Sequence, residues 1–280
     1  MGNSVKTILR KNRILYNIRY FLNAYKAPLS VIFSSRKRLK KYRGRYNNKR
    51  CFIIGNGPSL LPDDLDLLKG EYCFAANRIY EMYDKTEWRP TFYCIQDENT
   101  LREMPPEKLE YVMSKSSDAF VRMHSYDIIH RIGLENDNVI YIPIFQKKLK
   151  HNNAEFNRNL LNYVYDGSTV TYLSIELAVF MGFSKIYLIG VDHNYPYIWT
   201  STGLEVNDLS AASHFYDSSE NNIGENAHLR RSFNAELVTQ AYEVAEKASR
   251  IDGDFKIFNA TRGGCLEVFE RVDLDQLLQE

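Results

Sequence analysis

The chain has 280 residues, 44% of them hydrophobic, which suits one large domain with a real core and excludes an extended disordered protein. Its net charge of +1 conceals an asymmetry: 15 of the 36 Lys and Arg lie in residues 1–50, which hold no acid, and the other 21 face all 35 Asp and Glu in residues 51–280. A +15 arm therefore precedes a −14 body, with no apolar run of the roughly 18 residues that a membrane span needs.

Within the arm, Ile8, Leu9, Ile14, Leu15, Ile18, Phe21 and Leu22 recur at near-helical spacing among Lys and Arg, until Pro28 interrupts them. A second basic block, Arg36-Lys37-Arg38-Leu39-Lys40-Lys41, continues to Arg50. An amphipathic basic helix and a polybasic stretch predict an anionic membrane surface as the partner of residues 1–50. Nucleic acid, which attracts the same charge, is the rival and is not chosen; a third reading packs the helix on its own acidic body. The N-terminus lacks a continuous apolar stretch with a small-residue cleavage site, so the expectation is a cytoplasmic protein, peripheral at the inner face of the membrane. The expected division is a basic amphipathic arm, 1–50, and one domain, 51–280.

The domain opens on Cys51-Phe52-Ile53-Ile54 running into Gly55-Asn56-Gly57-Pro58-Ser59-Leu60. An apolar run closed by glycines reads as a buried parallel strand ending in a tight turn. Pro58 suits the first turn of a helix, and Ser59 offers a hydroxyl to its orphan amides. Strand, turn and helix N-terminus would aim N–H groups at one point, so Gly55, Asn56, Gly57 and Ser59 are candidates to hold a nucleotide phosphate. Leu60 stands where the dinucleotide fingerprint needs a small residue, and the second strand ends in Asn77 where that fingerprint needs an acid. No Gly-Lys-Ser/Thr follows, which excludes a Walker loop.

Further along, 63–68 reads as a helix, Tyr72–Ala76 and Thr91–Ile95 as strands, 105–114 as a helix, and Ala119–Met123 and Val139–Ile144 as strands. This alternation predicts an α/β fold, a parallel sheet with helices on both faces. Asn77 and Gln96-Asp97-Glu98-Asn99 follow strands, on the carboxyl edge where such sheets bind ligands. Gly167-Ser168-Thr169 opens a long apolar helix ended by Gly182, and Ser168 and Thr169 could hold a second phosphate oxygen or simply cap. Lys185–Val191 is a strand tipped by Asp192-His193-Asn194.

Residues 193–228 show little regular pattern and carry His214, His228 and many aromatics, which predicts a substrate-covering lid. A helix over 229–249, a strand over Lys256–Phe258 and the glycine turn of 259–269 close the chain. Cys51, Cys73 and Cys94 fall in predicted strands, where reduced cysteine acts as a small hydrophobe; Cys265 is the fourth, and no CxxC pairing occurs. His124, His130 and His151 lie outside these motifs, and His193 is either structural or part of the site.

The ordered set of GNGPSL after a strand, Asn77 after the second, a Gly-Ser-Thr helix start, KIYLIGVD, VDHNYP and NATRGGCLEVF resembles two related families. One is the bacterial CMP-sialic-acid sialyltransferases of lipooligosaccharide synthesis; the other, closer in the last two motifs, is the 6-hydroxymethylpterin diphosphokinase-like (MptE-like) family. The resemblance spans about residues 51–270 and implies a Rossmann-like transferase domain. Carried over, it places Asn56, Gly57, Ser59, Asn77 and Ser168 or Thr169 on the nucleotide and a lid histidine, His214 or His228, as general base. The spacing around the lid histidines departs from the sialyltransferase pattern, and its paired tyrosines are not assigned to positions here.

The diphosphokinase pattern instead suits Asp97 and Asp192 as acids for Mg²⁺; glycosyl transfer requires no cofactor, and no residue is assigned as a metal ligand. The first expectation is thus glycosyl transfer from a nucleotide-sugar donor, of the CMP-sialic-acid type, to a lipid-linked or glycan acceptor in cell-surface polysaccharide synthesis. Diphosphoryl transfer from ATP and a non-catalytic nucleotide-binding role in an envelope-glycan assembly are the alternatives.

Overall fold

The computed structural model describes residues 22, 24–134, 137–145, 155–195, 197–200, 203–206, 214–215, 232–233 and 235–279. Helix α1 (Leu29–Lys40) and a turn-rich segment lead into β1 (Arg50–Ile54). There follow α2 (Pro62–Leu67), β2 (Cys73–Ala76), β3 (Phe92–Ile95), α3 (Glu98–Glu103), α4 (Pro106–Ser114), β4 (Asp118–Arg122), α5 (Tyr126–Arg131) and β5 (Val139–Ile142). Two short strands, β6 (Ile144–Phe145) and β7 (Val164–Tyr165), precede α6 (Val170–Met181) and β8 (Lys185–Ile189). The chain ends with β9 (Tyr197–Thr200), β10 (Gly203–Val206), β11 (Ser232–Phe233), α7 (Ala235–Asp252), β12 (Lys256–Asn259), β13 (Glu270–Arg271) and α8 (Leu274–Leu277).

Eight of these strands form one parallel sheet in the order β13-β12-β8-β1-β2-β3-β4-β5, the α/β class expected. Its central strands are short apolar runs because helices cover both faces. In β1, Cys51 and Ile53 enter the core under α6 and α7, while Phe52 and Ile54 enter the core under α2 and α4. Helix α6 is apolar nearly all round and is accordingly buried, ending at Gly182, whose φ of 93° only glycine adopts freely. Cys51, Cys73 and Cys94 are buried, and Cys265 is exposed.

Two expectations are corrected here. The basic segment does not stand apart from the domain up to residue 50, because α1 packs on β5 and places Leu39 and Tyr42 in the core. Arg38 and Tyr42 both bond the Asp118 carboxylate, so the end of the basic segment is folded onto the body. The helical stripe from Ile8 to Phe21 lies outside the described residues. The segment 193–228 is also less irregular than expected, for β9 and β10 form an antiparallel hairpin joined by β11.

The order of the sheet fixes where a ligand belongs. From β1 the chain builds outward to β5, then returns to lay β8 on the other side of β1. Such a reversal leaves a crevice between the carboxyl ends of β1 and β8, bordered by residues 55–59 and 190–193.

Candidate functional site

At that crevice the two turns interlock. The Gly57 N–H donates to the Gly190 carbonyl (2.8 Å), and a Cβ on Gly55 would collide with the same carbonyl. A Cβ on Gly57 would overlap Oδ2 of Asp192. The Ser59 hydroxyl donates to that oxygen (2.8 Å), and the Ser59 N–H also bonds the carboxylate. The anion held at this turn is therefore Asp192 itself, and Gly57 is glycine because the carboxylate and the Gly190 carbonyl leave no room. Burial raises the Asp192 pKa, opposed by the Ser59 hydrogen bonds.

The expected helix N-terminus at Ser59 is also corrected. Pro58 and Ser59 form a β-turn closed by the Leu60 N–H on the Gly57 carbonyl (3.1 Å), and α2 starts only at Pro62. With six residues and no side-chain cap, α2 is too short to supply an anion site.

Beside the crevice, the Asn56 amide nitrogen donates to the Ala76 carbonyl (3.0 Å), which ties the tip of β1 to that of β2. Asn77 adopts a left-handed φ of 52°, and its carbonyl accepts from the Tyr93 hydroxyl (2.9 Å). The side-chain oxygens of both asparagines are buried without a hydrogen-bond partner. Buried amide oxygens are rarely left so, which leaves each open to a donor from water or a ligand. Two strands beyond β2, Arg122 ends β4 with its Nη1 4.0 Å from the Asp166 carboxylate and its Nε buried and unpartnered. Asn56 and Asn77 stood out in the sequence by following strands; Arg122 gave no such signal.

Other candidates hold structural posts. Asp97 caps α3, its carboxylate accepting from the Thr100 N–H and hydroxyl (2.8 Å each). Thr169 caps α6 through the Thr171 N–H (3.3 Å), and Ser168, at a left-handed φ of 61°, donates its N–H to Asp166 (2.8 Å). Asp97 is thus engaged in its cap, as Asp192 is on Ser59. Among the described residues, no three His, Cys, Asp or Glu could hold a metal ion together.

The histidines separate clearly. His214 precedes Phe215, whose N–H donates to the Asn56 carbonyl (2.8 Å), so this piece of the expected lid docks on the glycine turn. His228 and His151 lie outside the described residues. His124 stands 3.3 Å from Glu98, and His130 stacks on Tyr126. The His193 Nε2 meets the Thr239 hydroxyl (2.8 Å), which itself donates to the Ala235 carbonyl. Nε2 must therefore carry the proton, leaving Nδ1 a buried acceptor without a partner. Burial lowers the His193 pKa and keeps the ring neutral near pH 7. His193 also borders a cavity of about 540 Å³ between α7 and residues 265–268.

A family model described as 6-hydroxymethylpterin diphosphokinase MptE-like matches residues 21–197, beginning well inside the basic arm. No curated protein matches the chain. Among solved structures, it is similar to the MAf glycosyltransferase from Magnetospirillum magneticum AMB-1, with 16% identity and a TM-score of 0.49. That alignment covers 88% of this chain and 39% of the other, so the chain spans about two fifths of the length of that protein.

Proposed function

The chain belongs to the MptE-like family, and from that premise we propose that it is a transferase that binds a nucleotide along the carboxyl ends of β1, β2 and β4. The observation that carries this reading is the pair of buried, unpartnered side-chain oxygens of Asn56 and Asn77 at the tips of neighbouring strands. A nucleoside such as cytidine or adenosine offers the amino and hydroxyl donors that these acceptors lack. Arg122 lies two strand spacings from Asn77, about 10 Å, which is the reach from a nucleobase to its phosphates. Its guanidinium is the cation for the phosphate that leaves.

The preferred chemistry is glycosyl transfer from a nucleotide-activated sugar to a glycan or lipid-linked acceptor of the cell surface, with a donor of the CMP-sialic-acid type. His214, held over the glycine turn by its neighbour Phe215, is the base that takes the proton of the acceptor hydroxyl. Asp192 needs its bonds to Ser59 for packing, so its part is to shape the crevice. Diphosphoryl transfer from ATP is the second reading, favoured by the family's own description.

Calorimetry with CMP, CDP, UDP, GDP and ATP, each with and without Mg²⁺, tests both. A cytidine nucleotide should bind, and Asn56→Ala or Asn77→Ala should weaken it about tenfold, the value of one good hydrogen bond from a buried group. Binding of ATP with Mg²⁺ alone would transfer the assignment to the second reading. If folded variants keep wild-type affinity, the strand-tip site is wrong.

A further inference from the structure

Helix α1 buries one face against the sheet edge, and among the described residues its other face is exposed. At 100° per residue, Val31, Ser35, Arg38, Leu39 and Tyr42 fall on the inner side. Leu29, Phe33, Arg36, Lys37 and Lys40 fall within about 100° on the outer side, where all five are exposed. Leu29 and Phe33 are 70% and 66% exposed, and Leu22, just upstream, is 67% exposed. Of the nine large apolar side chains exposed among the described residues, three thus gather within twelve positions of the basic segment. A single exposed leucine means little; apolar groups clustered beside cations on one helix face mark an interaction surface.

The charge identifies the occupant. The apolar residues occupy the first turns of the face and the cations the later ones, with Lys41 just past the helix end. Among the described residues, no ion pair engages Arg36, Lys37, Lys40 or Lys41, whereas Arg38 on the inner side is paired with Asp118. The body as a whole carries −14, and residues 1–50 contain no acid to complement a like face of a second copy. An apolar strip flanked by free cations matches the boundary between acyl chains and anionic headgroups.

We propose that the outer face of α1 docks on an anionic lipid bilayer, with Leu22, Leu29 and Phe33 entering the acyl boundary and Arg36, Lys37 and Lys40 contacting the headgroups. Because α1 is fixed to the sheet edge through Arg38, Tyr42 and Ser35, docking holds the whole domain edge-on to the membrane. This goes beyond the transferase reading and stands without it.

The test is sedimentation of the full chain with vesicles of phosphatidylcholine alone or with 30 mol% phosphatidylglycerol (about that fraction, enough to give a firmly negative surface). The protein should pellet with the anionic vesicles only, and less as salt rises. Leu29→Ser with Phe33→Ser should weaken pelleting at least tenfold, and Arg36→Ser with Lys37→Ser and Lys40→Ser by roughly a hundredfold, since each cation contributes about fivefold. Both variants should melt as the wild type does, because the changed side chains are exposed. A Phe33→Trp variant should be quenched by brominated lipid. Absence of vesicle binding, wild-type pelleting by both variants, or pelleting without quenching of the new tryptophan would each overturn the proposal. A dimer in sedimentation equilibrium that Leu29→Ser with Phe33→Ser abolishes would give the face to a second copy instead.

Discussion

The glycine turn shows how one residue can satisfy a motif for an unexpected reason. A phosphate cradle and a carboxylate cradle both demand Gly57, and only the structure shows that Asp192, just past β8, fills the space. Gly57→Ala should therefore destabilise the fold by about 1–3 kcal/mol, as overpacking does. Adding Asp192→Ala should restore part of that loss, because the Gly190 carbonyl still crowds the new Cβ. Urea unfolding of the single and double variants measures the coupling; strictly additive losses would mean that the carboxylate is not what requires glycine. At the lid, His214→Ala should lower turnover by about 10²–10⁴ while leaving nucleotide affinity unchanged. Steady-state rates beside calorimetry decide it, and full activity would move the proton transfer elsewhere, with His193 and its bare Nδ1 next in line.

At the scale of elements, what the sequence made legible was whatever periodicity and glycine positions encode. Most strands from Phe52 to Leu188 have apolar centres, so their places along the chain and the parallel α/β class could be read directly, but not their order in the sheet. Helix α6 announced itself by its apolar run and Gly182. Contacts distant in sequence left no local mark: Asp192 on Ser59 bridges 133 residues, and Arg38 on Asp118 bridges 80. The caps hid in the same way, since Asp97 and Thr169 have the residue types that both a cap and a phosphate site use.

Glu176, in the middle of α6 and fully buried, went unnoticed because a single acid in an apolar helix gives no pattern. Its Oε1 accepts from the Asn157 N–H (2.8 Å) and fixes the segment beside β7. Burial raises its pKa well above the ordinary value, so folding favours the protonated form. Its contribution to stability is thus complete below the unfolded carboxylate value near 4.3 and is lost as pH rises through the higher folded pKa. Glu176→Gln keeps the acceptor and removes this titration, so the variant should gain on the wild type as pH is raised. Parallel stability–pH curves for the two proteins would contradict that.

For the molecule as a whole, the basic segment does more than carry charge. Strand β5 is an edge of the eight-stranded sheet, and a bare edge pairs readily with another chain. Here α1 covers it: Arg38 Nη1 donates to the Val139 carbonyl (2.7 Å), and the Tyr141 N–H donates to the Ser35 hydroxyl (3.1 Å). These are the outward-facing groups of β5, because Ala119 on β4 takes the preceding Asn138 carbonyl (2.9 Å), which fixes the alternation. Leu39 and Tyr42 anchor the cover in the core at 2% and 7% exposure. Removing residues 1–46 would therefore take away buried side chains and strip the edge together. Leu39→Ala alone should cost about 2–5 kcal/mol, and the truncated chain should melt far below the full one. The truncated protein should also associate as its concentration rises, through the freed Val139 and Tyr141 backbone. Light scattering on a concentration series checks this, with Ser35→Ala/Arg38→Ala as a full-length variant that uncovers the edge while keeping Leu39 and Tyr42. A monomeric, thermally unchanged truncation would show that the sheet closes its own edge and that α1 is only a passenger on it.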